Sequence, residues 1–218
     1  MRTEKTACIL CSRNCGLLID IDEQGKFGKI RGDEQHPVSK GYICQKAARL
    51  THYQFNADRL TQPLKRQADG RFVEVSWDEA YDFIAKKFTE IKTKYGPDYI
   101  AGISSARCTN EENYLMQKFI RAVIGTNNID SCARVCHSPT ALGMQRTFGT
   151  GAATNSIIDL KYTDCMMVIG ANPTDAHPVT GAKIKQTALK GKTLIVIDPR
   201  KTELTKYAQH HLQLRPGT

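Results

Sequence analysis

The sequence lacks a long hydrophobic run, a block of like charges and any low-complexity or repeated segment. Because no apolar stretch approaches the ~18–20 residues of a membrane helix, we expect no membrane span. Only seven residues precede Cys8, too few for a secretory signal, so the sequence predicts a cytoplasmic protein. Lys and Arg outnumber Asp and Glu by 31 to 22, but they are scattered among acids, which argues against nucleic acid as a partner.

Cysteine, by contrast, is abundant, with eight residues in the chain and four in the first 44. Cys8, Cys11 and Cys15 lie close together, and Cys44 follows after a gap of 28 residues. One segment therefore supplies three ligands, and a distant residue closes the site. This asymmetry suits a [4Fe–4S] cluster better than zinc, which usually takes two matched Cys-x-x-Cys pairs. Zinc stays the alternative on spacing alone, and unliganded cysteines are the least favoured interpretation.

Residues 1–58 and 59–218 differ in pattern, and we predict a domain boundary between them. The first part contains cysteines and a short hairpin, with strands at Leu17–Ile21 and Lys29–Gly32. In the second part, capped helices alternate with apolar, β-branched strands. The strands are predicted at 99–104, 166–170, 193–197 and 211–214, and the helices after Ser76, after Thr109, from Ser138 and at 178–190 and 202–208. The fold class is therefore α/β: a small domain with short strands, followed by a Rossmann-like, doubly wound parallel sheet covered on both faces.

Two predicted strands end in polar residues that suit a nucleotide. One strand leads into Asn172 and Asp175, and the next leads into Asp198 and Arg200. In doubly wound sheets, ligands bind beyond the carboxyl ends of the strands, where Asp can accept from ribose hydroxyls and Arg can meet phosphate. Taken alone, these residues are explained slightly better by helix capping at Asp175 and turn formation at Asp198. Since no Gly-x-Gly-x-x-Gly motif follows any strand, an ordinary NAD site is not supported.

A Cys-His pair in the middle of the chain is a candidate for chemistry. Cys136 lies just before the predicted helix at Ser138-Pro139, where the helix dipole favours a thiolate. The neighbouring His137 is of a residue type that carries protons near neutral pH. A small packing cysteine beside a capping histidine is the alternative. The remaining cysteines are interpreted as packing residues: Cys108, Cys132 and Cys165.

Together these segments resemble the amino-terminal part of the molybdopterin oxidoreductases, and within them the formate dehydrogenase catalytic subunits. The segments that carry the resemblance are Cys8/Cys11/Cys15/Cys44, Ser105–Arg107, Ala122–Asn128, Cys132–His137, Asn172-Pro173, His177-Pro178 and Asp198–Arg200. The Val-Cys-His piece is the most specific of them. The resemblance implies oxidation of formate to carbon dioxide at a molybdenum or tungsten bis-pterin centre, with electrons leaving through a [4Fe–4S] cluster.

The resemblance also implies a role for individual residues. The four cysteines of the amino-terminal part would hold the cluster, and Lys46 would lie between cluster and pterin. Cys136 would ligate the metal, with His137 beside it. The guanine-dinucleotide end of the bis-molybdopterin cofactor would be bound by Asn172, Asp175, Asp198, Arg200 and Gly217. Residues 59–218 would then be an incomplete molybdopterin guanine dinucleotide-binding domain.

The resemblance further implies that this chain is one portion of a longer enzyme. The family's substrate arginine and second pterin domain would lie beyond Thr218, so the chain alone is not expected to oxidise formate. The expected partners are formate, the remainder of the catalytic subunit, and electron-transfer subunits with iron–sulfur or flavin groups. An assimilatory nitrate reductase is the close alternative, although His137 argues against it. A non-catalytic iron–sulfur electron-transfer module is the second alternative, and the retained Cys136 argues against that.

Overall fold

A computed structural model describes residues 1–217, which form two compact units. One unit combines residues 1–59 with the segment that begins at Asn155, and the other contains Leu60–Thr154. The cysteine-rich segment therefore belongs to the same unit as the last part of the chain.

The strands and helices follow one another along the chain with short connections. The strands are β1 (Arg2–Ala7), β2 (Gly16–Ile21), β3 (Phe27–Gly32), β4 (Leu64–Arg66), β5 (Phe72–Glu74), β6 (Gly102–Ser104), β7 (Ile129–Ser131), β8 (Cys165–Ile169), β9 (Thr193–Ile197) and β10 (His210–Leu212). The helices are α1 (Gln45–Ala48), α2 (Leu50–Gln54), α3 (Trp77–Tyr95), α4 (Asn110–Lys118), α5 (Ala133–Cys136), α6 (Ser138–Phe148), α7 (Pro173–Ala176) and α8 (Pro178–Leu189). Short 3₁₀ segments lie at Pro97–Tyr99, Ile157–Lys161 and Glu203–Tyr207, and a π-helical turn lies at Phe119–Ile124.

The amino-terminal part of the first unit is an antiparallel sheet in the order β1-β2-β3. The predicted hairpin is confirmed, and its turn is held by Asp22, whose carboxylate accepts hydrogen bonds from the backbone N–H groups of Gln24 and Lys26. Strand β1 was not predicted, because its six residues are polar or small and show no apolar alternation; all of them are exposed. Behind the sheet, Leu17 and Ile30 pack with Ala47 and with cysteines of the amino-terminal part.

The rest of the first unit is a three-stranded parallel sheet in the order β10-β9-β8. One face is a well-formed core, in which α8 and the 3₁₀ segment at Glu203–Tyr207 cover Leu194 and Val196. The opposite face was predicted to be covered as well, but Met167 is 57% exposed and Ile169 is 60% exposed. In the described part of the chain the helices thus bury one side of this sheet only.

The second unit contains the β4-β5 hairpin and a separate parallel pair, β6 and β7. Helix α3 begins after Ser76, whose hydroxyl accepts a hydrogen bond from the N–H of Glu79 at 3.1 Å. The Glu79 carboxylate accepts a hydrogen bond from Lys65 Nζ at 3.0 Å. At the start of α4, Thr109 and Glu112 form a capping box with both hydrogen bonds.

The core of the second unit is small. Ile100, Ile120 and Ile124 are buried there, and Phe88 and Ile91 of α3 pack against them. Other apolar side chains of α3, such as those of Phe83, Ile84 and Tyr95, are exposed. None of the helices within residues 1–217 combines the length and the apolar character needed to cross a membrane.

Candidate functional site

The first site is the loop that carries three of the four amino-terminal cysteines. The backbone N–H of Cys8 donates to the carbonyl of Cys15 at 2.8 Å, which closes the loop at its base. Within it, Asn14 adopts a left-handed conformation with φ of 46° and donates its N–H to the carbonyl of Cys11 at 3.2 Å. Asn is one of the few side chains that tolerates this conformation readily, so the sequence of the loop suits its tight turn.

The fourth cysteine is brought to this loop by the chain that follows β3. Ser39 lies in that connection, and its hydroxyl accepts the N–H of Gly16 at 3.1 Å. Gly32 and Gly41 pack backbone against backbone at the start and end of the connection, because a Cβ on Gly32 would lie 1.9 Å from the carbonyl oxygen of Gly41. Any larger residue at position 32 would displace the segment that leads to Cys44.

We refer to Cys8, Cys11, Cys15 and Cys44 as the cluster cysteines. All four have free thiols; Cys8 and Cys15 are buried, and the other two are partly exposed. Burial is the main cause that raises the pKa of the Cys8 and Cys15 thiols, and Cys11 and Cys44 raise the pKa of both further. Lys46 opposes this effect at Cys8, and Arg13 opposes it at Cys15. Such mutual influence means that the four sulfurs lie near one another.

The chemistry of the cluster cysteines suits an iron–sulfur cluster. A cubane cluster needs thiolates that reach four separate corners, whereas zinc draws its ligands around one point. The four cysteines supply the ligand set of a [4Fe–4S] cluster.

Lys46 connects this region to the second site. Two residues after Cys44, its Nζ donates a hydrogen bond to the backbone carbonyl of Asp175 at 2.8 Å. Val179, at the start of α8, packs in the same apolar cluster as Cys8 and Cys15. The loop after β8 is therefore fixed to the cysteine-rich region by both a polar and an apolar contact.

The second site lies beyond the carboxyl ends of β8 and β9. The ends of the two strands are adjacent, because the N–H of Gly170 donates to the carbonyl of Ile197 at 2.8 Å. In the loop after β8, the amide of Asn172 donates to the carboxylate of Asp175. The hydroxyl of Thr174 donates to Asn172 Oδ1 at 2.7 Å, which fixes the orientation of the amide.

Asp198 and Arg200 follow β9 at the same edge of the sheet, but they differ in exposure. Asp198 is 4% exposed, and its carboxylate accepts the N–H of Arg200 at 2.8 Å, so it does form the turn. The side chain of Arg200 is 73% exposed, and its Nε lies 3.8 Å from the Asp198 carboxylate. Gly217 follows β10, which pairs in parallel with β9, and its φ of 81° favours glycine. Arg200 therefore presents an exposed positive charge to an anionic ligand at this edge.

Two features of the described residues suit a ligand at this edge. His177 lies between α7 and α8, and its buried Nδ1 has no hydrogen-bond partner within residues 1–217. A buried nitrogen without a partner is costly, and a bound polar group would satisfy it. Gly181 allows α8 to approach the loop closely, because a Cβ there would lie 2.7 Å from the Cα of Thr174. The nucleotide interpretation thus fits the residues present.

Cys136 and His137 lie in the second unit, at the junction of α5 and α6. Cys136 is the last residue of α5, and His137 precedes α6. The hydroxyl of Ser138 donates to the carbonyl of Ala133 at 2.7 Å and holds the junction together. Both Cys136 and His137 are exposed, so the thiol and the imidazole are both accessible.

One residue near the sites, Arg13, was absent from the sequence predictions, and three cysteines differ from their predicted burial. No role was predicted for Arg13, although a charged residue within a loop of metal ligands can indicate one. Its side chain is buried beside Cys15. Cys132 was interpreted as a packing residue but is exposed, and so are Cys108 and Cys165. The N–H of Ala106 donates to Cys132 Sγ at 3.3 Å, and this hydrogen bond is the main cause that lowers the pKa of the thiol.

Two family models match the chain and together account for nearly all of it. Residues 1–56 match the molybdopterin oxidoreductase Fe4S4 domain, and residues 59–218 match the molybdopterin oxidoreductase model. These matches agree with the iron–sulfur cluster and the molybdopterin cofactor expected from the sequence.

Individual relatives point in the same direction. The chain is 43% identical, over 98% of its length, to the F420-dependent formate dehydrogenase 1 subunit alpha of Methanococcus maripaludis, and 39% identical, over its whole length, to formate dehydrogenase H of Escherichia coli. It spans only 31% of each of these relatives. Among solved structures, acetylene hydratase from Pelobacter acetylenicus has a TM-score of 0.68 and 27% identity, over 97% of this chain and 29% of that one.

Proposed function

Because the chain belongs to the molybdopterin oxidoreductase family, we propose that it is the amino-terminal portion of a formate dehydrogenase catalytic subunit. The reaction converts formate into carbon dioxide, one proton and two electrons. The electrons leave through the [4Fe–4S] cluster. When bound, the molybdenum or tungsten centre supplies the two-electron acceptor for this oxidation, and it is carried by a bis-molybdopterin guanine dinucleotide cofactor.

The observation that carries this proposal is the hydrogen bond from Lys46 Nζ to the carbonyl of Asp175. Lys46 follows a cluster cysteine, and Asp175 lies in the loop that we assign to the nucleotide end of the pterin. An electron relay between two cofactors needs them to be held close together by rigid elements. The contact joins the two proposed sites in that way, and an ammonium between them favours negative charge on the reduced cofactors.

We assign the remaining roles from the positions of the side chains. The cluster cysteines hold the cluster, and the exposed thiol of Cys136 binds the metal of the pterin centre. His137, adjacent in the chain, accepts the proton released from formate. The pterin nucleotide is held by residues at one edge of the parallel sheet: Asn172, Asp175, Asp198, Arg200 and Gly217.

The proposed organisation is a cluster domain over residues 1–58 and an incomplete pterin-binding domain from residue 59. The separate family models for the two parts support this division. Since the chain spans less than a third of its relatives, the proposed partners are the remainder of the catalytic subunit and electron-transfer subunits with iron–sulfur or flavin groups. A cytoplasmic location stays a prediction from the sequence.

The proposal is tested on the full-length protein that contains this chain. We expect about four irons with acid-labile sulfide, together with molybdenum or tungsten and pterin. Formate should reduce an artificial electron acceptor, and nitrate should not be reduced when reduced dye is supplied. Iron and sulfide without molybdenum or tungsten would instead support an electron-transfer module, and nitrate reduction without formate oxidation would support the nitrate reductase alternative.

A further inference from the structure

Arg13 is a buried cation with which no carboxylate within residues 1–217 forms an ion pair. It lies between Cys11 and Cys15 in sequence, and only 6% of its surface is exposed. One guanidinium nitrogen, Nη2, donates to the backbone carbonyl of Val38 at 3.1 Å. Its buried Nε has no hydrogen-bond partner within residues 1–217, and no described carboxylate forms an ion pair with it. A guanidinium stays charged at every accessible pH, so burial in this form is costly unless an anion compensates it.

The protein groups around Arg13 increase this cost. The side chain of Lys183, on α8, is near enough for Arg13 to lower its pKa, and Lys40 and Lys161 contribute to the same effect, although burial is its main cause. Lys183 therefore adds positive charge near Arg13. An anion that belongs to the site itself is the missing element.

A [4Fe–4S] cluster on four thiolates is such an anion. Among the cluster cysteines, Arg13 lies near Cys15, because its charge opposes the raised pKa of the Cys15 thiol. Lys46 has the same effect on the pKa of the Cys8 thiol. On reduction the cluster gains one more negative charge, and a nearby buried cation stabilises the reduced state more than the oxidised state.

We propose that Arg13 is the counter-ion of the cluster and raises its reduction potential. This inference rests on the proposed assignment of the cluster to the cluster cysteines. The consequence is functional, because a higher potential makes the cluster a better acceptor of electrons from the pterin centre. As the charge is buried, added salt should screen its effect only weakly.

The test is a redox titration of the cluster in the full-length protein, followed by electron paramagnetic resonance, with dithionite as the electron donor and without formate. Arg13→Gln removes the charge and keeps an amide that can donate to Val38. We expect its midpoint potential to fall, so that at the wild-type midpoint the ratio of reduced to oxidised cluster drops about tenfold, which corresponds to about 59 mV for one electron. Arg13→Lys keeps the charge and should restore most of the potential.

Arg2→Gln is the matched control, because it changes the net charge equally at an exposed position at the far end of β1, roughly 20 Å of strand from Cys8. Its midpoint should equal that of the wild type. If Arg13→Gln assembles less cluster, the assembled fraction is titrated, since a midpoint does not depend on the amount of cluster. An unchanged midpoint in Arg13→Gln, or an equal shift in Arg2→Gln, overturns the proposal. A wild-type protein without the cluster signal overturns the cluster assignment itself.

Discussion

Lys46 Nζ donates a 2.8 Å hydrogen bond to the backbone carbonyl of Asp175, 129 residues further along the chain. The contact joins α1, which follows Cys44, to the loop after β8. It is made by a charged side chain to a backbone atom, so it depends on the length and charge of Lys46 and not on the identity of the residue at position 175. This relationship gives the first prediction.

Replacement of Lys46 by Gln should slow electron transfer into the cluster. The amide can still donate a hydrogen bond, but the positive charge between the two cofactors is lost. We expect the rate of cluster reduction by formate to fall about tenfold, which is about 1.4 kcal/mol in the activation barrier. Stopped-flow absorbance of the full-length enzyme measures this rate, and iron and pterin contents should not change. Lys46→Arg should retain most of the rate, and Lys29→Gln, at an exposed lysine of β3, is the control. Wild-type kinetics in Lys46→Gln would show that the assignment is wrong.

Gly181→Ala should disturb the loop after β8. The new Cβ would meet the backbone of Thr174 at 2.7 Å, and the backbone cannot rotate away as a side chain can. We expect a loss of about 1–3 kcal/mol in the free energy of unfolding, and a lower pterin content because Thr174 orients Asn172. Gly143→Ala in α6 is the matched control: its Cβ meets no atom within 4 Å, so the helix should be unchanged or slightly more stable. Equal stability and equal pterin content in the two variants would contradict the close packing of α8 on this loop.

The charge of Arg200 and the carboxylate of Asp198 should both support binding of the pterin nucleotide. Arg200→Gln removes an exposed charge, and Asp198→Asn keeps an acceptor for the N–H of Arg200 while it removes the negative charge. Each variant should release less guanine nucleotide per iron after acid treatment of the purified full-length protein. Lys201→Gln, at the adjacent exposed position, serves as the control. If nucleotide content stays at the wild-type value in both variants, Asp198 and Arg200 act as turn residues only.

Local patterns in the sequence were sufficient to predict much of this fold. The cysteine spacing, the caps at Ser76 and Thr109, and the strands that became β8 and β9 all depend on residues that are near one another in the chain. The meeting of the carboxyl ends of β8 and β9 followed from parallel pairing of consecutive strands. The strand β1 was missed because its residues have no apolar alternation, and it exists only as the edge partner of β2.

Long-range contacts set the limit of that prediction. No local pattern indicates that Lys46 reaches Asp175, or that Val179 packs with Cys8. The burial of Arg13 could not be predicted either, because the local sequence around an arginine does not distinguish a buried side chain from an exposed one. The exposure of Cys132 was mispredicted for the opposite reason: free cysteines are usually buried, but here a backbone N–H holds the thiol at the surface. The roles of the individual site residues stay predictions.

The last prediction concerns Cys136 and His137. A thiol that coordinates a metal is deprotonated, so Cys136→Ser, which offers a poor ligand, should abolish formate oxidation in the full-length enzyme and leave the cluster signal intact. Cys165→Ser, at another exposed cysteine, is the control and should retain activity. His137→Ala should reduce turnover by about 10²–10⁴, the usual contribution of general acid–base catalysis, with the metal retained.

A separate measurement distinguishes proton transfer from a structural role of His137. If imidazole at this position carries the proton, the pH dependence of kcat should change in His137→Ala, and added imidazole should restore part of the activity. A merely structural role would lower activity equally at all pH values and would not respond to imidazole. Because Cys136 and His137 are both exposed at the junction of α5 and α6, neither substitution removes a core contact, and the loss should therefore appear in turnover and not in folding. Full formate oxidation by Cys136→Ser would refute the catalytic assignment of this junction.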